Sequence, residues 1–389
     1  MARGNGKGRG ASGRGGGRTN DRGNGDAGRT TGPDSARTAG TAAGAAAGMA
    51  TGMATGMATG PAYGAIDLGT NNCRLLVARP TADGFHVVDG FSRIVRLGEG
   101  LGTNDALCTA AMDRTVAALG VCAKKLRSWN CRRTRAVATE ACRRAANVRT
   151  FIDKVSAKTG IAIEPISAEE EARFTLDGCR TLLGHGHDHV LLFDIGGGST
   201  EVVWSALEDN QPTGPVAVHS LPLGVVTLAE EYGPGALSTE AFDALVDRVD
   251  AQLAPLDAEH GIAEHIARGG VRMVGTSGTV TTLGAAHLNL NRYDRSKVDG
   301  LVLARDRLMA VADDLAAMDL EARHRHPCIG AGRADLMLMG LAVLAAVLRR
   351  WPAEHVAVAD RGVREGLLLQ MMAADAVPDG GAGAAHGGA

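Results

Sequence analysis

The 389-residue chain has no C-x-x-C pair, and its seven cysteines are odd in number. A disulfide framework and the usual zinc spacings are thereby excluded, which leaves reduced thiols in a cytosolic protein. Long apolar runs are also missing. The longest, "LMLMGLAVLAAVL" (336–348), falls short of the roughly 20 residues a membrane-spanning helix needs, so it is expected to be a buried core helix. The basic N-terminus lacks the apolar segment of a secretory signal. Large apolar side chains are almost absent from residues 1–60, which hold 18 glycines and seven arginines. Such a segment cannot bury enough surface to offset its ordering entropy, and it reads as a disordered arm. Its net charge of +5 against a total of −2 leaves an acidic body. The arm ends in "GMATGMATGMATG" (48–60), where Met49, Met53 or Met57 could each be the true start.

The remaining chain suits two domains, 61–186 and 187–375, followed by a short disordered tail at 376–389. The boundary is expected at the His-rich "GHGHDH" (184–189), which reads as a solvated loop rather than a metal site. Helices are expected over 105–128, 141–158, 238–268 and 333–350 from 3.6-residue periodicity. "FHVVDGFSRIVRLGEGL" reads as a strand, a loop and a short strand. "TRAVATEACR" reads as a strand that enters a helix at Thr139. Ser167 with Glu170 makes a capping box for a helix that starts near Ser167.

The informative feature is a repeat. "YGAIDLGTNNCRLLVA" and "VLLFDIGGGSTEVVW" both read as strand, turn, strand, with Asp67 and Asp194 in equivalent places. Such duplication suggests two halves built alike. Gly196, Gly197 and Gly198 permit positive φ and close backbone approach, and their successive N–H groups make an anion nest. Ser199 and Thr200 add hydroxyls; Gly69, Thr70 and Asn71 supply the matching turn. A carboxylate beside a phosphate site makes sense if a divalent cation lies between them. Two such turns facing across a cleft would grip a phosphoryl group from both sides.

The candidate base lies in "ISAEEEARF". Neighbouring helical residues point about 100° apart, so Glu169, Glu170 and Glu171 cannot all face one cleft. Glu171 borders the apolar face marked by Ala172, Leu176 and Cys179. The three also suit a first turn that complements the helix dipole. Glu201, seven residues after Asp194, either faces solvent or joins the metal or water. Arg93 is a candidate phosphate ligand, with Arg96 as competitor. Lys124, Lys125, Arg127, Arg132, Arg133, Arg135, Arg143 and Arg144 read first as a solvated face and second as a polyanion track. "GTSGT" (275–279) is a third Gly/Thr turn ahead of a helix.

Seven segments in order, "AIDLGTNNCRLLV", "VATEACRRAAN", "ISAEEEARF", "FDIGGGSTEVV", "LPLGVVTL", "GTSGTVTTL" and "VADRGVREGLL", resemble successive motifs of the exopolyphosphatase/guanosine pentaphosphate phosphatase (Ppx/GppA) family. The resemblance covers nearly all of 62–370. It implies an α/β fold of the actin/Hsp70/sugar-kinase superfamily, two ribonuclease-H-like domains around a cleft. It implies hydrolysis of a terminal phosphoanhydride with Mg²⁺ or Mn²⁺. Carried over by position, Glu171 would be the general base. Asp67, Asp194 and Glu201 would hold the metal, with Glu201 in the catalytic cluster. Gly69, Thr70, Asn71, Arg93, Gly196, Gly197, Gly198, Ser199 and Thr200 would bind phosphate.

Two positions depart from the family pattern: Asn72 replaces a hydroxyl, and Ala168 replaces a glycine. The chain also lacks room for the C-terminal helical domains of longer members. The expected reaction is release of orthophosphate from inorganic polyphosphate in the cytoplasm, with guanosine pentaphosphate as the alternative substrate. A homodimer is expected, with no specific nucleic acid and no membrane partner. A sugar kinase or chaperone of the same fold is disfavoured by the few aromatics, 3% of the chain, and by the absence of a sugar-binding or substrate domain. A non-catalytic sensor of polyphosphate or nucleotides is disfavoured by the intact Glu171 and Glu201.

Overall fold

The computed structural model describes residues 60–376, apart from 236 and 331. The expected arm and tail, except for their innermost residues, lie outside the described residues. Two mixed sheets organise the fold. The first contains β1 (Tyr63–Leu68), β2 (Asn72–Thr81), β3 (Gly84–Ile94), β4 (Arg133–Ala138) and β5 (Glu164–Pro165), in the order β3-β2-β1-β4-β5. The second contains β6 (His189–Ile195), β7 (Thr200–Glu208), β8 (Gln211–Leu221), β9 (Val271–Thr276), β10 (Val302–Ala304) and β11 (His355–Ala359), in the order β10-β11-β9-β6-β7-β8. Without the short edge strand β10, the two orders are the same. In each sheet three antiparallel strands are followed by a parallel neighbour of the first, β4 beside β1 and β9 beside β6. This is the doubled α/β architecture that the repeated hairpin implies.

Strand parity decides what each sheet face does. In β1, Ile66 and Leu68 enter the core beneath helices Thr109–Ser128 and Val148–Thr159. Tyr63 and Ala65 pack against the last helix, Val363–Ala376. In β6, Leu191, Phe193 and Ile195 join the largest core with the nearly all-buried helix Met337–Arg350. Val190 and Leu192 pack against helix Ala168–Cys179. A strand buried on both faces reads as a continuous apolar run, as these two do. Asp67 and Asp194 are the polar residues that continue the second faces, and the helices covering those faces pack on each other. The two carboxylates therefore end up on facing sides of the gap between the sheets.

Local sequence sets most element ends. Ser167 accepts from the Glu170 N–H at 3.1 Å, and the Glu170 carboxylate accepts from the Ser167 N–H at 2.9 Å, forming the predicted capping box. Thr139 takes the N-cap position of helix Glu140–Arg144 directly after β4, without a side-chain capping hydrogen bond. Three expectations need correction. The stretch read as strand, loop and short strand is one strand, β3, with an irregular register against Val77 and Ala78. The helix expected over 141–158 is two, broken after Arg144. The span 238–268 breaks at Gly261, whose φ of 60° sits in the left-handed region where glycine has no Cβ penalty.

Candidate active site

The two turns are copies at atomic detail. Gly69 N–H donates to the Asn72 carbonyl at 2.9 Å, and Gly196 N–H donates to the Ser199 carbonyl at 2.9 Å. The turns meet closely. A Cβ on Gly197 would lie 3.1 Å from Asn71 N, and one on Gly198 would lie 2.5 Å from Thr70 Oγ1. None of Gly196, Gly197 and Gly198 takes a left-handed φ, contrary to the expectation from sequence. These glycines are needed for close approach of the opposite turn. From below, helix Val225–Tyr232 donates Val225 N–H to the Gly196 carbonyl at 3.0 Å and Val226 N–H to the Gly197 carbonyl at 2.8 Å. No hydrogen bond engages the N–H of Gly197 or Gly198 within the described residues. Thr70 Oγ1 and Asn71 Oδ1 are buried without partners. Unsatisfied groups of this kind are costly unless a ligand meets them.

Acidic groups gather beside the turns. Asp67 and Asp194 both line the cleft. Burial raises the Asp67 carboxyl, against the pull of Arg74 and Arg364. Burial, then Glu201, push Asp194 up to about 7, with Arg74 opposing. Glu171 lies in the first turn of helix Ala168–Cys179 and is 9% exposed. Burial, then Glu201, hold its carboxyl well above the usual range. Arg143 Nη1 donates to Glu171 Oε2 at 2.7 Å and to the Ile166 carbonyl at 3.1 Å. The same guanidinium pairs with Glu140 at 2.9 Å. Opening from these groups is a cavity of about 510 Å³, lined by Arg74, Arg295, Arg333, Arg361 and Arg364. The guanidinium groups of Arg74 and Arg333 have no hydrogen-bond or ion-pair partner among the described residues.

The sequence and the fold are matched by relatives. A sequence profile of the Ppx/GppA phosphatase family matches residues 76–375. The chain belongs to the Ppx/GppA phosphatase family. Among its relatives is the guanosine-5'-triphosphate,3'-diphosphate pyrophosphatase of Photobacterium profundum, 31% identical over 311 residues. The match covers 80% of this chain but 59% of that protein, so the chain spans little over half the length of the curated relative it matches. The crystal structure of an Aquifex aeolicus Ppx/GppA family member is 27% identical, covering 82% of this chain and 99% of that one, with a TM-score of 0.68. An exopolyphosphatase from Cytophaga hutchinsonii shares the fold, with a TM-score of 0.72 at 22% identity over 80% of this chain and 98% of that one.

In this Ppx/GppA family member the structure sorts the candidate residues. Gly69, Thr70, Asn71, Gly196, Gly197, Gly198 and Ser199 line one cavity with Asp67, Asp194 and Glu171. The triple-glutamate ambiguity resolves locally: Glu170 serves the cap, Glu169 is exposed, and only Glu171 reaches the cleft. Arg93 is not brought there. It is exposed on β3 with its guanidinium over the Phe91 ring, while Ser92 and Ile94, its neighbours of opposite parity, border the cavity. Arg96 is likewise engaged elsewhere, by Asp335 at 2.8 Å. Thr200 turns inward and donates to the Leu223 carbonyl at 2.7 Å.

Glu201 lies directly across from Asp194 in the β6–β7 register. Its Oε1 accepts from Ser199 Oγ at 2.5 Å and Ser220 Oγ at 3.0 Å, and lies 3.8 Å from Arg143. That oxygen serves a hydroxyl and arginine network, and no three acidic, His or Cys side chains form a ready metal cage among the described residues. The hard-oxygen pair of Asp67 and Asp194 still fits Mg²⁺, which is commonly held by one or two carboxylates with waters and substrate phosphates completing its shell. The raised carboxyls are the mark of two part-buried acids that a cation would relieve.

Sequence reading missed Arg74 and Arg333 as cleft residues and Arg143 as the partner of Glu171. Arg74 had a signal: it pairs with Asp67 across β1–β2 as Glu201 pairs with Asp194 across β6–β7, seven residues on in each case. "GTSGT" does reach the cleft through Ser277 and Thr279 at the start of helix Gly278–His287. Ser277 holds φ at 109°, a strained value of the sort found at ligand sites.

Proposed function

We propose that this chain hydrolyses the terminal phosphoanhydride of inorganic polyphosphate and releases orthophosphate. One observation carries the reading: the buried Glu171 is fixed by Arg143 at the seam of two phosphate turns, beside an arginine-lined cavity. In the proposed reaction Glu171 takes a proton from a water as the water oxygen bonds to the terminal phosphorus. The bridging P–O bond breaks, and its electron pair leaves with the shortened chain. A carboxyl held above its usual range by burial suits a general base. The N–H groups of Gly197 and Gly198, without hydrogen bonds among the described residues, would meet the charge on the transferred phosphoryl group, while Arg143 holds Glu171 in place. A divalent cation such as Mg²⁺, held by Asp67 and Asp194, would neutralise the phosphoryl oxygens. Arg74 and Arg333 supply unpaired positive charge for the phosphates that follow.

Guanosine pentaphosphate is the second reading, favoured by the name of the Photobacterium relative. Both substrates present a terminal phosphate to the same turns. The test is orthophosphate release from polyphosphate and from guanosine pentaphosphate, with Glu171→Gln alongside. Loss of about 10²–10⁴-fold in the variant is expected for removal of a general base. Cleavage of guanosine pentaphosphate alone would overturn the first reading, and a fully active variant would overturn the role of Glu171.

A further inference from the structure

Residues 95–102 run behind the first phosphate turn and touch the second sheet's half of the molecule at two points. On the near side this loop holds the turn by its backbone. Val95 N–H and Arg96 N–H both donate to the Asn71 carbonyl, at 2.8 and 3.0 Å, and Gly98 N–H donates to the Thr70 carbonyl at 3.0 Å. The two residues it grips are the ones with orphaned side-chain oxygens in the cleft. On the far side, Arg96 Nη2 donates to Asp335 Oδ2 at 2.8 Å, and Gly100 N–H donates to Glu230 Oε1 at 2.7 Å. Glu230 belongs to helix Val225–Tyr232, whose first N–H groups hold the glycine turn.

Arg96 is built for this reach. It is a non-glycine residue at φ 47°, a conformation that costs free energy and persists only when its surroundings impose it. Arg114 braces the loop from behind, donating to the Val95 carbonyl at 3.0 Å. The receiving post is equally fixed. The Asp335 carbonyl accepts from Gly235 N–H at 3.1 Å. Arg323, only 3% exposed, ties the neighbouring Ala334 carbonyl to the Gly235 carbonyl. Asp335 is also two residues from Arg333, the unpartnered guanidinium of the cleft. The ion pair thus joins the carrier of one phosphate turn to the carrier of a cleft arginine, at side-chain exposures of 40% and 17%. Half-exposed pairs of this kind contribute little to global stability, so a role in fixing geometry is the better account of a strained residue spent on one.

The geometry points to Arg96 and Asp335 as a closure latch: positioning residues, not catalytic ones, that hold the two phosphate turns face to face while substrate is bound and let the cleft open when the pair parts. The inference concerns opening of the cleft and does not depend on which phosphoanhydride is cleaved.

The test is a double-mutant cycle in the full chain, with Arg96→Asn, Asp335→Asn and both. Asn tolerates the left-handed conformation at 96, which keeps the loop intact. If the variants leave the closed form populated at about a tenth, KM for polyphosphate rises about tenfold while kcat is held or raised. The double variant should match either single one. Small-angle scattering without substrate should show the same larger radius of gyration for all three variants. An unchanged KM and radius, effects that multiply in the double variant, or a fall in kcat at constant KM would each overturn the latch. Should the wild type prove inactive on polyphosphate, the reading of substrate fails and the scattering comparison alone decides the latch. Thermal melting of each variant identifies any loss that comes from misfolding.

Discussion

Replacing Asp194 with asparagine is expected to stabilise the metal-free protein and to remove its activity. Asp194 is part-buried near the end of β6, with Glu201 directly across and Asp67 of β1 lining the same cavity. Burial first, then the charge of Glu201, move its carboxyl from 3.8 to about 7. Between those values the folded state keeps a proton that the unfolded state has released. Stability from this group is therefore fully present below pH 3.8 and is lost as pH rises through about 7. Moving the carboxyl from 3.8 to about 7 corresponds to about 4 kcal/mol at pH 8, and to less than half of that at pH 5. Asparagine keeps the shape and removes the charge, so the variant should gain up to that amount at pH 8. The assay is chemical denaturation with chelator present, at pH 5 and pH 8. Adding Mg²⁺ should shrink or reverse the difference, because the cation stabilises only the protein that retains both carboxylates. A variant no more stable than wild type at pH 8, or a gain equal at both pH values, would refute the electrostatic reasoning. Retained orthophosphate release would refute the metal role.

Gly198→Ala should prise the two turns apart, since its Cβ would sit 2.5 Å from Thr70 Oγ1 and 2.9 Å from Glu140 Cγ. Overpacking of this kind costs about 1–3 kcal/mol in denaturation, and activity should fall with it. Arg93→Ala should leave KM and kcat near wild type because its side chain lies away from the cavity, whereas Arg74→Ala should raise KM. Equal effects of the two would show that β2 and β3 present the wrong faces. Ser167→Ala removes the side-chain half of the capping box and should lower stability by about 1 kcal/mol, read from the denaturation midpoint.

How far the site could be read in advance depended on whether a residue's role is local. The capping box needed only residues 167 and 170, and it consumed Glu170; the choice of Glu171 over Glu169 came from the fold, which leaves Glu169 exposed. The paired hairpins announced themselves by repetition, and the repeat even contained Arg74, at the place of Glu201 in the other half. Arg143 was legible only as one of two adjacent arginines. Its choice over Arg144 follows from a helix turn that points one side chain at Glu171, 28 residues further along. Arg93 was misplaced because a turn-flanking arginine looks the same from either face of a strand, and a shift of one residue reverses the face.

The sequence by itself determined the elements: two strand–turn–strand units with an acid beside each turn, the start of the helix that carries Glu171, and a largely apolar helix over Met337–Arg350. These follow from turn chemistry, capping and hydrophobic period, all set within a few residues. The tertiary structure alone decided that Asp67 and Asp194 face one another, that Glu201 bonds to serines, and that glycines 197 and 198 are required by the opposite turn. It also brought Arg96 to Asp335, 239 positions away. Such choices depend on which sheet faces are covered by which helices, and that is fixed by burial between segments far apart in the chain.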